Sequence, residues 1–206
     1  MKIRTCFFDM GNVLVHFSHQ LMVHNLAGVS GLSVVEVERF LFQDQWQWFM
    51  ERGERTEDEF CVELSRRAGN ALEPAAVCHA AANIFQLNSD IIPILRQLKT
   101  RGMRLVLLSN TSLTHIRFIE RHFDVLEFMD DRVTSFEVGA MKPELPIFNA
   151  AIAKANCPPE ECFYTDDIET YTSQAQSMGI QTHTFTSAER LKSALETLGV
   201  LGGKDA

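Results

Sequence analysis

Three short apolar runs constrain this chain most. They are Ile3-Arg4-Thr5-Cys6-Phe7-Phe8, Arg104-Leu105-Val106-Leu107-Leu108 and Cys162-Phe163-Tyr164-Thr165. Each has the length of a strand and is apolar without alternation. That is the pattern of parallel strands covered on both faces. Each run ends in a polar cluster: Asp9-Met10-Gly11-Asn12, Ser109-Asn110-Thr111 and Asp166-Asp167. Open α/β sheets bind ligands beyond the carboxyl ends of their strands. Three polar strand ends therefore predict one convergent site.

Helical patterns fill the intervals. One is expected over 90–98 and stops at Gly102. Another opens at Lys142-Pro143-Glu144, with Pro143 in its first turn, and runs through Phe148, Ile152 and Ala155 to Pro158-Pro159. A third covers 172–178 and stops at Gly179. A last strand is expected over 181–185, and Ser187 caps a final helix reaching Leu198. Alternating strands and helices give an α/β fold, a doubly wound Rossmann-like parallel sheet. The stretch from His16 to Asn88 shows no buried-strand run. It reads as helices over 33–42, 56–68 and 74–85, the second opened by a capping box of Thr56 and Glu59. The expected division is an α/β core of 1–15 and 89–206 with a helical insertion of 16–88. The tail, 202–206, is expected to fray.

Composition narrows the partners. Hydrophobic residues at 46% and charged residues at 22% suffice for a packed core. A length of 206 residues suits one domain with a modest insertion. The net charge of -8 disfavours nucleic acid and anionic membrane as partners, so a small anionic substrate would need a local positive site. Five cysteines, an odd number without C-x-x-C spacing, read as free thiols of a reducing, cytoplasmic compartment. The first residues lack the pattern of a signal peptide. No apolar run approaches the roughly 20 residues of a membrane span.

Asp9, directly after a strand and before Gly11-Asn12, can be a nucleophile, a metal ligand or a turn residue bonded to its own loop. The adjacent carboxylates Asp166 and Asp167 repel each other unless a cation or proton intervenes. Combined with Asp9 they favour a hard cation such as Mg²⁺ over a solvated turn. Ser109, Asn110 and Thr111 offer a hydroxyl and amides that suit phosphate oxygens, or cap the next helix. Lys142 at a helix start opposes the dipole there and points to an anion nearby. The histidines have no zinc spacing, and His115, His122 and His183 read as surface or packing residues. Phe40, Phe42, Trp46, Trp48 and Phe49 read as core of the insertion, with one or two as candidates to line a substrate.

In order and spacing, this set resembles the haloacid dehalogenase-like (HAD) superfamily. Phe7-Phe8-Asp9-Met10-Gly11-Asn12-Val13-Leu14 resembles its first motif. Leu107-Leu108-Ser109-Asn110, Met141-Lys142-Pro143 and Tyr164-Thr165-Asp166-Asp167 resemble the other three. The insertion is similar to the small helical C1 cap of subclass I. Glu51-Arg52-Gly53 with Thr56 and Phe60 looks like a cap loop of the sugar-phosphatase branch, and Asp-x-Gly-Asn resembles glucose-1-phosphate phosphatase-like members. The resemblance implies a Mg²⁺-dependent phosphatase of a small phosphorylated metabolite, a sugar phosphate among the candidates. Asp9 would form an aspartyl phosphate, which water then hydrolyses. Ser109, the Asn110 amide and Lys142 would hold the phosphoryl oxygens, with Arg52 counted among the phosphate binders. Mg²⁺ would sit on Asp9, the Gly11 carbonyl and Asp167, with Asp166 a direct ligand or one step removed.

Two positions depart from the family pattern. Gly11 stands where most of its phosphatases carry a second Asp as general acid and base, a loss worth about 10²–10⁴-fold. His16 is a candidate substitute. Tyr171 stands where relatives often carry Asn. Gly11 and Tyr171 favour an alternative, a weak or inactive binding or regulatory protein. The acidic pair argues against a second alternative, a metal-free dehalogenase.

Overall fold

The computed structural model describes residues 2–202. Of the tail expected to fray, residues 203–206 lie outside it. The strands are β1 (Thr5–Phe8), β2 (Val15–Phe17), β3 (Phe85–Leu87), β4 (Arg104–Ser109), β5 (Asp131–Thr134), β6 (Cys162–Asp166) and β7 (Gln181–Thr184). Five of them form a parallel sheet in the order β5-β4-β1-β6-β7. This is the predicted α/β class. The three apolar runs occupy its centre, where every residue of β1 and β6 is buried.

Alternate side chains of β1 feed two cores. Cys6 and Phe8 pack with Ile94, Leu98 and Ile116 on one face. Phe7 packs with Ile147, Phe148 and Tyr164 on the other. Each fully buried Phe contributes about 2 kcal/mol by removal from water.

The segment between β2 and β3 is helical: α1 (His19–Ser30), α2 (Val34–Glu38), a π turn (Arg39–Gln43), α3 (Trp46–Glu51), α4 (Glu57–Ala68) and α5 (Pro74–Ala82). These helices share a separate core of Met22, Leu26, Phe40, Leu64 and Val77. The predicted capping box of Thr56 and Glu59 opens α4. Contrary to expectation, the stretch also contains strands. β2 and β3 pair antiparallel, Val15 opposite Leu87 and Phe17 opposite Phe85, where the chain leaves and re-enters the α/β layer.

The remaining helices are α6 (Ile92–Thr100), α7 (Leu113–His122), α8 (Ser135–Val138), α9 (Leu145–Lys154), α10 (Glu169–Ser177) and α11 (Ala188–Thr197). Ser112 caps α7, and Ser187 caps α11 as predicted. Pro143 is not in the first turn of α9. Glu144 is the N-cap, and the helical proline is Pro146. Lys142 therefore lies in the loop before the helix, joined to Pro143 by a cis peptide bond, and the helix-dipole argument does not apply to it. No helix among the described residues is long and apolar enough to cross a membrane.

Candidate functional site

The carboxyl ends of β1, β4 and β6 converge, as the three polar clusters predicted. Parallel register carries Asp9 past β1, Asn110 past β4 and Asp167 past β6, and the Asp9 amide donates to the Thr165 carbonyl at 3.0 Å. Asn12, held at φ 56°, donates from its side chain to Asp167 Oδ2 at 2.9 Å. That bond ties the first polar cluster to the last.

Lys142 enters from the loop before α9. The Asn110 side chain clasps its backbone, accepting from the Lys142 amide at 2.8 Å and donating to its carbonyl at 3.1 Å. Its ammonium is buried and donates to Asp9 Oδ1 at 2.7 Å, Asp166 Oδ2 at 2.5 Å and the Leu108 carbonyl at 3.1 Å. Burial alone would lower the Lys142 pKa, but the Asp9 and Asp166 charges outweigh it and hold the ammonium above its ordinary value. Burial pushes the Asp9 carboxyl up to about 7; Lys142 pulls against this, and the Asp166 charge adds to it.

Carboxylate oxygens of Asp9, Asp166 and Asp167 lie within 4.8 Å of one another. One lysine cannot balance three carboxylates, so the donor set fits a divalent, oxygen-loving cation. The three are not equivalent. Asp166 Oδ2 already accepts from Lys142 and the Tyr164 hydroxyl, and Oδ1 accepts from the Ile168 amide at 2.8 Å. Asp166 is thus occupied in orienting Lys142. Asp9 Oδ2 and Asp167 Oδ1 accept from no side chain among the described residues. The bridge between Gly11 and Val15 runs through the Val15 amide to Met10 and the Asn12 amide to Val15, which leaves the Gly11 carbonyl without a partner among the described residues.

Asp9, Gly11, Asn110, Lys142 and Asp167 line a cavity of about 240 Å³. Ser109 is buried at the end of β4 and does not itself line that wall; its hydroxyl reaches only the Asn110 carbonyl, at 3.4 Å. Arg52 is a correction. It does not line the cavity, because both arms of its guanidinium are spent on Glu144, its Nε lies 3.2 Å from Glu54, and it stacks over Trp48. His16 is exposed on β2 and away from the cavity, so it cannot replace a missing acid there. Tyr171 does line the cavity, its ring 5.1 Å from the Lys142 ammonium.

Sequence reasoning missed several wall residues. Phe17 and Phe85, brought in by the β2/β3 pair, line the cavity in place of Phe40, Phe42, Trp46, Trp48 or Phe49. Phe17 matters most. A Cβ built on Gly11 would stand 2.8 Å from its ring, so the space beside Gly11 is filled by an aromatic edge. His115, expected at the surface or in packing, is buried in the wall, and burial lowers its pKa to about 4. The Thr111 hydroxyl is buried without a partner among the described residues. Glu51 and Gln47, from α3, complete the wall.

The chain matches the model of a hydrolase family, the haloacid dehalogenase-like hydrolases, over residues 3–179. Its structure is similar to that of a HAD family enzyme from Bacteroides thetaiotaomicron (TM-score 0.82, 24% identity, 95% of this chain and 99% of that one). It is also similar to that enzyme in complex with magnesium and inorganic phosphate (TM-score 0.79, 25% identity, 89% and 94% covered). A predicted HAD-like family hydrolase from Porphyromonas gingivalis is similar too (TM-score 0.79, 27% identity, 96% and 98% covered).

Proposed function

The chain belongs to the haloacid dehalogenase-like hydrolases, and from that premise we propose that it is a Mg²⁺-dependent phosphatase of a small phosphorylated metabolite. The observation that carries the reading is the pairing of Asp9 with the buried Lys142 ammonium, beside the Asp167 carboxylate. A phosphoryl group entering the cavity brings negative charge to that ammonium, so Lys142 orients it for in-line attack by Asp9. The unpartnered Thr111 hydroxyl offers a further donor. Asp9 would form an aspartyl phosphate, and water would release phosphate from it. Asp9, Asp167 and the Gly11 carbonyl would hold Mg²⁺, which when bound would supply charge neutralisation. The magnesium and phosphate bound by the Bacteroides enzyme support this reading. The helical insertion would act as the C1-type cap, with a sugar phosphate as one candidate substrate.

One observation favours a second reading, a catalytically weak binding or regulatory protein: Phe17 fills the space of the usual second Asp. A phosphoester panel with Mg²⁺ separates the two. Hydrolysis by the wild type that Asp9→Asn abolishes supports the phosphatase. A wild type inert toward the whole panel overturns it.

A further inference from the structure

We propose that Glu51, delivered by the helical insertion, is the general acid and base of this site. The inference rests on the phosphatase reading and names the group that reading lacks. With Phe17 against Gly11, an acid must come from another wall of the cavity. The cavity lined by Asp9, Lys142 and the metal-facing Asp167 is also lined by two histidines, a tyrosine and Glu51. His115 is buried and, with its pKa lowered to about 4, neutral near pH 7 and a poor proton donor. His19 is exposed and stacked edge-on against Phe17. Tyr171 is raised above its ordinary value by burial.

Glu51 differs from these. Gln47 donates to its Oε1 at 2.5 Å, and its Oε2 has no hydrogen-bond partner among the described residues. The charged or titratable groups facing it are Lys142 and Tyr171. Burial raises its pKa above the ordinary carboxylate value, the direction a general acid needs.

Its position is fixed at the junction of insertion and core. The Ser135 hydroxyl donates to the Glu51 carbonyl at 2.5 Å. Arg52, the next residue, is clamped by Glu144. Gly53, at φ 70°, lies so close to the Phe136 carbonyl that a Cβ would collide with it. Three consecutive residues of the insertion are thus docked, and the first presents a carboxyl to the cavity.

In the first step an Asp9 oxygen bonds to phosphorus, the bond from phosphorus to the ester oxygen breaks, and the Glu51 proton goes to that oxygen, releasing the alcohol. In the second, water bonds to phosphorus, the bond from phosphorus to Asp9 breaks, and Glu51 takes the water's proton. Phosphate leaves, and both carboxyls return to their starting forms.

The test compares kcat/KM, which reports steps through phosphoryl transfer, on an alkyl phosphate and on p-nitrophenyl phosphate with Mg²⁺. The first leaving group needs a proton and the second does not. Glu51→Gln should lower kcat/KM on the alkyl ester by roughly 10²–10⁴-fold and leave the activated ester within about tenfold. Glu51→Asp should recover part of the loss. Equal loss on both esters, or no loss on either, overturns the assignment while the phosphatase reading stands. A wild type inert toward both esters overturns the two together.

Discussion

At the scale of single residues, the contact between Gly11 and Phe17 decides what a simple repair can do. Gly11→Asp alone forces its Cβ onto an aromatic ring 2.8 Å away. It should destabilise the fold by about 1–3 kcal/mol, as overpacking does. Gly11→Asp with Phe17→Ser should recover that stability in urea titrations and show more alkyl phosphatase activity than either single variant. His115 gives a second expectation. Its pKa falls from 6.5 to about 4 on burial, so the unfolded chain binds the proton more tightly. Stability is therefore lost as pH falls from about 6.5 toward 4, by up to about 3 kcal/mol. Urea midpoints across that range should fall more steeply for the wild type than for His115→Gln. Asp9 and Asp167 were legible because their motifs stand at strand ends, and Lys142 because its Lys-Pro motif stands just before a helix. Phe17 was not, since its meeting with Gly11 exists only once β2 turns back. Glu51 was visible in its loop motif, but nothing local shows that it faces the cavity.

At the scale of elements, the junction between α3 and the core carries the most consequence. Arg52 grips Glu144 with both arms, and both side chains are partly exposed. Arg52→Ala should cost only about 1 kcal/mol of global stability, the ordinary worth of such a pair. It should reduce turnover of alkyl esters more than of activated ones, because the residue beside Glu51 loses its anchor. The elements missed in the sequence have physical reasons. β5 is an edge strand whose Asp131 and Arg132 pair with Arg104, Lys154, Glu120 and Glu137, so it shows no apolar run. Polar side chains on an edge are ordinary protection against edge pairing. α3 starts from Gln45 in a left-handed conformation, with no side-chain cap to announce it. β2 and β3 have three residues each, too few for periodicity to register.

At the scale of the whole molecule, the central sheet was legible because apolar runs without alternation have few other uses. Three carboxylates around one buried ammonium leave the site short of positive charge. Mg²⁺ should therefore raise the thermal midpoint of the wild type. At a concentration a hundred times its Kd the gain is about 2.7 kcal/mol. Asp167→Asn should lose most of that shift in calorimetry, and chelation should reverse it in the wild type. The paired strands β2 and β3 hold the two crossings of the chain side by side, Val15 opposite Leu87. Everything between them is a detour that starts and finishes at one doorway. A different excursion spliced in at that doorway would leave the strand order of the sheet as it is, so the walls of the cavity can be exchanged while its floor stays in place.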